Sequence, residues 1–323
     1  MKALKKILLM VLTLFIFTFS LTYTCFRLVF YVGKKKQDNE EYPIPPGKQY
    51  EPYHDIMIRW MNNFRTMPHE EFSIKSFDGL TLYGNYYEYK KGAPIELMFH
   101  GYRGTAERDL SVGIQRCFSM GRNALIVDQR TSGRSEGKVI TFGVNEHRDC
   151  LAWIDFAIEH FGPDVKLVLT GISMGASTVL MAGMHDLPKN VYYILADCGF
   201  SSAKNIIKKC AKQIHMPANF LYPFIKLGAK IFGHFDLEEI TPEEAVKLCK
   251  IPVVLIHGTD DDFVPAEMSQ INYDACQAPK KLLNIPNAGH GIAYLLDPKA
   301  YIDALVEISE KAGLETKVNF IEL

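Results

Sequence analysis

The stretch LVLTGISMGAS, Leu167–Ser177, decides the expected fold. Its apolar run through Thr170 has the composition of a buried strand, and small, helix-tolerant residues follow Ser173. Gly171 and Gly175 lie two residues to either side of the serine, and glycine permits the crowded backbone of a tight strand-to-helix turn. Such a turn projects the serine Oγ away from the sheet, where a neighbouring base can take its proton. We therefore predict that Ser173 is an exposed nucleophile between a strand and a helix.

Short apolar runs on both sides of this motif alternate with segments of helical length. The runs are Ile95–His100, Asn123–Asp128, Val165–Thr170, Val191–Ala196, Ile251–His257 and Lys280–Pro286. This alternation predicts a mostly parallel sheet with helices on both faces. Two alternating segments flank Asp78-Gly79, which is a strong hairpin signal, so the sheet should begin with an antiparallel pair. A short amphipathic helix is expected from Asp55.

Acidic residues and a histidine follow the last two predicted strands. Asp260, Asp261 and Asp262 come after the first of these strands, and His290 lies between glycines after the second. The order Ser, Asp, His is the one expected when a nucleophile elbow leads a catalytic triad. His290 would remove the Ser173 proton, and one of the aspartates would orient the imidazole. Taken singly, aspartates in a loop more often belong to a turn or a helix cap, and a histidine in a glycine-containing loop is more often structural.

A glycine-rich loop, HGYRGTA (His100–Ala106), follows the predicted strand that begins at Ile95. Acyl transfer needs two N–H donors aimed at the oxygen that becomes negatively charged. We expect one donor to be the backbone N–H of Met174, directly after the nucleophile, and the other to be that of Tyr102. His100 precedes the serine in the chain, and we interpret it as a residue that shapes the loop. A simple tight turn is the alternative for this segment.

The motifs HGYRG, DQRTSGRSEG, GISMG, HGTDDDFVP and AGHG together resemble, in sequence and order, the serine aminopeptidase-like and acyl-hydrolase-like branch of the α/β-hydrolase superfamily. The resemblance covers the chain from about Phe72 onward. It implies that Asp261, the fifth residue of the family's H-G-x-x-D-x-x-V-P pattern, is the acid of the triad. Where the family commonly has Gly-His, this chain has Thr131-Ser132, a difference expected at the rim of the active site.

The resemblance implies a serine hydrolase that cleaves carboxylic esters through an acyl-enzyme, with no metal and no organic cofactor. A serine peptidase or a thioesterase of the same fold is the alternative, because relatives split esters, thioesters and amides. A non-catalytic, membrane-tethered binding protein is a further alternative, since one fold carries many functions.

A long connection, residues 199–250, separates two of the predicted strands and reads as a helical lid insertion. Its aromatic residues would form an apolar roof over the substrate, which favours a small acyl or lipid-like molecule. These predicted pocket residues are Phe200, Phe220, Tyr222 and Phe224. An extra helical pair that packs for stability is the alternative.

Composition excludes several other classes of protein. The 323 residues carry a net charge of −1, which gives no reason to expect a nucleic-acid partner. The seven cysteines are scattered without a CxxC pair, so neither a metal site nor a redox motif is predicted.

The N-terminus differs from the rest of the chain. Ile7–Phe26 is an uncharged apolar run long enough to cross a bilayer as a helix. We predict a transmembrane anchor over residues 1–33, a proline-rich linker over 34–54 that lifts the domain off the membrane, and an α/β-hydrolase domain over 55–323. A cleaved signal peptide is the rival interpretation.

Two opposed signals bear on which side of the membrane the catalytic domain lies, and we expect it outside the cytoplasm. Lys2, Lys5 and Lys6 precede the apolar run and favour a catalytic domain outside the cytoplasm. The unpaired cysteines favour the reducing side.

Overall fold

The computed structural model describes residues 2–33, 42–45 and 47–322. Its strands form one eight-stranded sheet in the order β1-β2-β4-β3-β5-β6-β7-β8. Their bounds are β1 (Glu70–Lys75), β2 (Thr81–Tyr87), β3 (Ile95–Phe99), β4 (Asn123–Asp128), β5 (Leu167–Ile172), β6 (Val191–Asp197), β7 (Val253–Gly258) and β8 (Lys280–Ile285). β2 is antiparallel to both β1 and β4, and the other neighbours pair in parallel. The predicted mostly parallel sheet with an antiparallel hairpin at its start is therefore confirmed.

The helices precede, connect and follow these strands. They are α1 (Lys2–Val29), α2 (His54–Thr66), α3 (Ala106–Leu110), α4 (Val112–Ser119), α5 (Glu146–Phe161), α6 (Met174–Ala182), α7 (Ala203–Gln213), α8 (Ala218–Phe232), α9 (Pro242–Leu248), α10 (Glu267–Ala275), α11 (Ala293–Leu296) and α12 (Pro298–Lys311). A single 3-10 turn, Glu51–Tyr53, leads into α2.

Side chains alternate between the two faces of the sheet, so the central strands are apolar on both. Leu97 and Phe99 of β3 pack in one cluster with α5 and α6, whereas Met98 between them packs with α3 and α4 on the opposite face. Helices α11 and α12 cover the second face farther along the sheet. This two-sided coverage explains why the strands read as continuous apolar runs.

Two predicted strands are shifted toward their carboxyl ends in the structure. β5 begins at Leu167 rather than Val165 and continues to Ile172, so it runs into the turn that carries Ser173. β7 begins at Val253 rather than Ile251 because Pro252, which has no N–H to donate, stands before the paired segment.

The C-terminal end of α1, which we call its inner end, packs on the folded domain. Cys25, Phe26 and Phe30 are buried among residues of α7 and α8 and of the loop after β4. Val32 N–H donates to the Lys138 carbonyl at 2.8 Å, and Ile140 N–H donates to the Phe30 carbonyl at 2.9 Å. The outer, apolar residues of α1 remain exposed, and this helix is long and apolar enough to cross a membrane.

The predicted linker lies only partly within the described residues. Residues 34–41 and 46 fall outside them. From Gly47 onward the chain packs on the domain, and Tyr50 is buried in the cluster that contains α11 and α12. Residues 47–54 of the segment predicted as a linker therefore lie against the domain.

Candidate active site

Ser173 lies on a strained turn between β5 and α6, at φ 57° and ψ −118°. Its N–H donates to the Asp197 carbonyl of the neighbouring strand at 2.8 Å. A Cβ at Gly171 would come within 2.1 Å of the Gly175 backbone, and one at Gly175 would come within 2.0 Å of the Phe99 carbonyl oxygen. Both glycines of the motif are required because the backbone passes too closely for any side chain.

The structure brings Ser173, Asp261 and His290 together at the carboxyl edge of the sheet. Ser173 Oγ lies 3.0 Å from His290 Nε2, and His290 Nδ1 lies 2.7 Å from Asp261 Oδ2. Since a carboxylate only accepts, Nδ1 of His290 carries the proton, and Nε2 is left to accept the serine hydroxyl proton. This arrangement can activate a serine for attack on a carbonyl carbon.

Asp261 is held in place by donors that the sequence analysis did not single out. Its Oδ1 accepts the N–H groups of Phe263 at 2.9 Å and Val264 at 2.8 Å, and its Oδ2 lies 3.1 Å from His257 Nε2. Burial alone would raise the pKa of this carboxyl, but the hydrogen bonds from His257 and His290 hold it well below its usual range. Asp261 is therefore an ionised, oriented acceptor.

The neighbours of Asp261 differ from it in exposure. Asp260 and Asp262 are exposed, whereas Asp261 is buried. His257 is also buried, and its Nδ1 lies 2.6 Å from Ser269 Oγ. A histidine four residues before an aspartate was the signal in the sequence that could have identified this supporting residue.

The loop after β3 passes close to Ser173. A Cβ at Gly101 would lie 3.3 Å from the Ser173 Cβ, which shows how closely the loop passes. Gly101 N–H donates to Asp109 Oδ2 at 3.0 Å, and this bond holds the loop in position. Met174 is the first residue of α6, so its N–H has no acceptor within the helix. The expected donors, on Tyr102 and Met174, belong to segments that both border the serine.

His100 has a structural position, as the sequence analysis interpreted it. It is buried, its Nδ1 lies 2.8 Å from the Gly101 carbonyl oxygen, and its Nε2 accepts the Gln129 N–H at 3.0 Å. The Nδ1 contact lies within the loop after β3, and the Nε2 contact joins this loop to the loop after β4. Thr131 and Ser132, expected at the rim, are buried in the second of these loops.

The side chains of the loop after β3 contact the inner end of α1. Tyr102 Oη donates to the Val29 carbonyl at 2.7 Å, and Arg103 Nη2 donates to the Leu28 carbonyl at 2.8 Å. These are carbonyls at the end of the helix, which have no partner within it. The loop that borders Ser173 is thus joined directly to the N-terminal helix.

A cavity of about 820 Å³ opens beside Ser173 and His290. Its apolar wall comes from α2, α4, the end of β5, and α11, and its polar rim carries both signs of charge. The apolar and aromatic residues are Pro45, Tyr50, Met57, Trp60, Tyr102, Val112, Ile172, Phe263, Tyr294 and Leu295, and the charged ones are Lys48, Arg108, Asp109, Asp260 and Asp262.

The predicted aromatic roof does not line this cavity, which corrects the expected position of the substrate pocket. In the part of the chain that the structure describes, no wall residue comes from 199–250. Phe200 is buried near Phe142, and Tyr222 Oη donates to Glu238 at 2.9 Å. Phe220 is exposed, and its ring lies 5.4 Å from that of Phe224. The insertion is helical as predicted, but these residues pack toward α1 or face outward.

The cavity wall that sequence reasoning missed is the segment Gly47–Trp60, which we call the wall segment. Gln49 Oε1 accepts the His290 N–H at 3.2 Å, and Tyr50 Oη donates to the His290 carbonyl at 2.9 Å. Both backbone groups of His290 are thus bonded to a segment about 240 positions earlier in the chain. No local pattern in the sequence indicates this contact.

One group of ligand-type side chains lies at the site. Cys198 Sγ, Asp261 and His290 have ligand atoms within 4.8 Å of one another. Burial raises the pKa of the Cys198 thiol well above its ordinary value, which disfavours the thiolate that binds metals. Asp261 and His290 already bond each other, so the hydrogen bonds of the site account for the proximity.

Comparison with known proteins agrees with this architecture. The profile of the prolyl oligopeptidase family matches residues 140–303, about half of the chain. YqkD of Bacillus subtilis is 25% identical over 266 residues, which cover 82% of this chain and 85% of YqkD.

Solved structures share the fold at lower identity. An esterase of Pyrococcus furiosus is similar with a TM-score of 0.62 and 20% identity, covering 84% of this chain and 97% of the esterase. An acylaminoacyl peptidase of Pyrococcus horikoshii is similar with a TM-score of 0.56 and 17% identity, covering 80% of this chain and 44% of the peptidase. The chain therefore belongs to the prolyl oligopeptidase family and is a hydrolase of the α/β-hydrolase fold.

Proposed function

We propose that the chain is a serine hydrolase that cleaves carboxylic esters through an acyl-enzyme. The observation that carries this proposal is the continuous hydrogen-bonded series from Ser173 through His290 to Asp261, at 3.0 and 2.7 Å, beside an open cavity. A serine hydroxyl needs such a base to become a nucleophile at neutral pH.

In the first half of the reaction, Ser173 Oγ bonds to the ester carbonyl carbon while His290 Nε2 takes the serine proton. The carbonyl oxygen becomes negatively charged, and the N–H groups of Tyr102 and Met174 stabilise it. The C–O bond to the alcohol then breaks as His290 returns the proton to the leaving oxygen. Asp261 stays ionised and stabilises the imidazolium throughout.

In the second half, water attacks the acyl-serine and His290 takes a proton from that water. The tetrahedral intermediate collapses, the bond to Ser173 Oγ breaks, and the proton moves from His290 to the serine. The products are the carboxylic acid and the regenerated enzyme. Removal of any triad member should leave only the residual catalysis supplied by binding and the oxyanion donors.

The cavity supports a small acyl substrate with an apolar group. Trp60, Met57 and Leu295 offer an apolar surface, and a volume of about 820 Å³ is within the range of small-molecule sites. An esterase among the structural neighbours agrees with this choice.

A peptidase activity is the second candidate, and the family supports it. The matching profile is that of prolyl oligopeptidases, and one neighbour is an acylaminoacyl peptidase. Thioesters use the same steps. Competition among matched esters, amides and thioesters of one acyl group would rank the three, and an amide preferred by kcat/KM would replace the ester proposal.

We also propose that α1 anchors the protein in a membrane, with its outer, exposed residues in the lipid. Flotation of the full-length protein with liposomes tests this, because a cleaved signal peptide would leave a shorter chain that does not float. Protease accessibility on intact cells tests the proposed location of the domain outside the cytoplasm.

The test of the proposed reaction is labelling by a fluorophosphonate probe, which reacts with activated serines. Wild-type protein should be labelled at Ser173, and Ser173→Ala should not be labelled. Ser111→Ala is the matched control, because Ser111 also lines the cavity and its loss should leave labelling intact. Equal labelling of Ser173→Ala and wild type would overturn the assignment.

A further inference from the structure

The last turn of α1 ends against the loop after β3. A helix leaves its last four carbonyls without partners inside the helix, so these groups need donors from elsewhere. Two of them find donors in this loop: Tyr102 Oη donates to the Val29 carbonyl at 2.7 Å, and Arg103 Nη2 donates to the Leu28 carbonyl at 2.8 Å. The loop that carries a proposed oxyanion donor therefore caps the C-terminal end of the N-terminal helix.

Arg103 occupies its place in the loop with an unfavourable backbone conformation. It is the third residue of a four-residue turn, which the Gly104 N–H closes by donating to the Gly101 carbonyl at 3.1 Å. Its φ is 52°, in the left-handed region that a turn of this kind usually fills with glycine. Glycine would fit this backbone without strain, so the turn itself does not account for an arginine at this position.

The contacts of the Arg103 side chain do account for it. Nη2 donates to the Leu28 carbonyl and also to the Tyr31 carbonyl at 3.4 Å, and the guanidinium carbon lies 5.3 Å from the centre of the Tyr102 ring. A cation at the C-terminal end of a helix interacts favourably with the carbonyl dipoles there. One side chain thus joins the turn to the helix end.

Tyr102 lies between this helix end and the nucleophile. Its ring centre lies 5.1 Å from that of Phe142, and the Phe142 ring centre lies 5.8 Å from that of Phe30, which follows α1. On its other side Tyr102 lines the cavity beside Ser173. A Cβ at the adjoining Gly101 would lie 3.3 Å from the Ser173 Cβ. A shift of the turn would therefore move the Tyr102 N–H relative to the serine.

We propose that Arg103 is a positioning residue for the hydrolase reaction, and that it acts by fixing the turn on the inner end of α1. Its bonds to the helix carbonyls hold the Tyr102 N–H where that group can stabilise the negative charge on the substrate oxygen. Arg103 contributes no group to the reaction itself. The inference rests on the proposed function and on α1 remaining part of the chain, and it makes α1 a support of the active site as well as the proposed anchor.

The test compares Arg103 variants of the full-length protein in nanodiscs by steady-state ester kinetics. Loss of an oxyanion donor costs about 10²–10³ in kcat, and a displaced donor keeps part of its effect. We expect Arg103→Ala and Arg103→Gly each to lower kcat about tenfold, with KM within about twofold of wild type. Glycine separates positioning from backbone fit, because it suits the turn but supplies no guanidinium. Arg103→Lys, which keeps a cationic donor, should have a kcat at least about threefold above that of Arg103→Ala.

Arg134→Ala is the matched control. Arg134 is also an exposed arginine over a tyrosine ring, 5.0 Å from the centre of Tyr83, but it bonds Asn85 and Glu71 at the start of the sheet. Its loss should change kcat less than about twofold.

Several outcomes would overturn the positioning role. They are a kcat within about twofold of wild type for Arg103→Ala or Arg103→Gly, a change in KM alone, a lysine variant as slow as the alanine variant, or an equal loss in Arg134→Ala. Fluorophosphonate labelling of wild-type Ser173 reports the hydrolase assignment separately. A labelled wild type together with an unaffected Arg103→Ala would refute only the positioning role, whereas an unlabelled wild type would refute the proposed function.

Discussion

The wall segment and the insertion at residues 199–250 each have a position that differs from the one their sequences indicate. Residues 47–54 of the wall segment belong to the predicted linker, yet Gln49 and Tyr50 bond both backbone groups of His290. The insertion is aromatic and looks like a roof, yet its helices pack on α1 and contribute nothing to the described cavity wall. Composition indicates that a segment will be buried or will bind something apolar. Which part of the molecule it contacts depends on the course of the chain in the folded structure.

The largest expected effect is at the proposed triad, and it gives a reference for the effects in the two regions. Asp261→Asn should lower kcat for ester hydrolysis by about 10⁴, because an amide no longer selects the productive His290 tautomer. Steady-state kinetics on a soluble ester measures the effect. Asp260→Asn and Asp262→Asn are the matched controls and should stay near wild type, since both groups are exposed on the rim. An equal loss of kcat in either control would assign the acid of the triad to that aspartate instead of Asp261.

The next largest difference is expected in the unfolding free energy when one aromatic residue is removed from each region. Trp60→Ala should cost about 3–5 kcal/mol of unfolding free energy, because Trp60 is buried and donates to Gln115 at 2.8 Å. Phe220→Ala should change it by less than about 0.5 kcal/mol, because Phe220 is largely exposed. Denaturant unfolding measures both values. Similar losses in the two variants would end the distinction between a wall and an outward face.

A smaller effect is expected from the polar contact of the wall segment. Gln49→Ala removes the acceptor of the His290 N–H, and we expect kcat to fall about tenfold with KM little changed, because the imidazole is held less well. Gln213→Ala makes the same change in the exposed end of the insertion and should alter kcat less than about twofold. A change in KM alone for Gln49→Ala would show that the glutamine contacts substrate and does not position His290.

The smallest effect is expected where the loop after β3, which lies outside both regions, meets α1. Tyr102→Phe removes the hydrogen bond to the Val29 carbonyl but keeps the backbone N–H, so it should cost about 1 kcal/mol of stability and less than about tenfold in kcat. Thermal unfolding and ester kinetics measure these together. A loss of kcat as large as that of Asp261→Asn would place the tyrosine hydroxyl in the reaction itself.

The sheet and the approach of the proposed triad could be predicted for local reasons. Each predicted strand was a short apolar run, and Ser173, Asp261 and His290 each follow such a run within a few residues. In a parallel sheet the carboxyl ends of neighbouring strands share one edge, so residues after those ends meet in space. The observed strand ends differ from the predicted ones by one or two residues, as at β5, because the apolar pattern does not show where hydrogen bonding between strands begins.

The substrate cavity could not be predicted in the same way. Contact between Gln49 and His290 depends on the course of the chain before the first strand, and no periodicity describes that course. The packing of α8 on α1 depends on Gly228, an ordinary residue in the sequence, at which the two backbones nearly touch.

The sequence by itself determined the periodicity of the strands, the glycine-flanked serine corner and the apolar N-terminal run, because each depends on neighbours within a few residues. Only the tertiary structure decided which segment walls the cavity and which one holds the N-terminal helix. Those contacts join residues up to about 240 positions apart, and their energies come from shape and hydrogen bonding that exist only after the chain has folded.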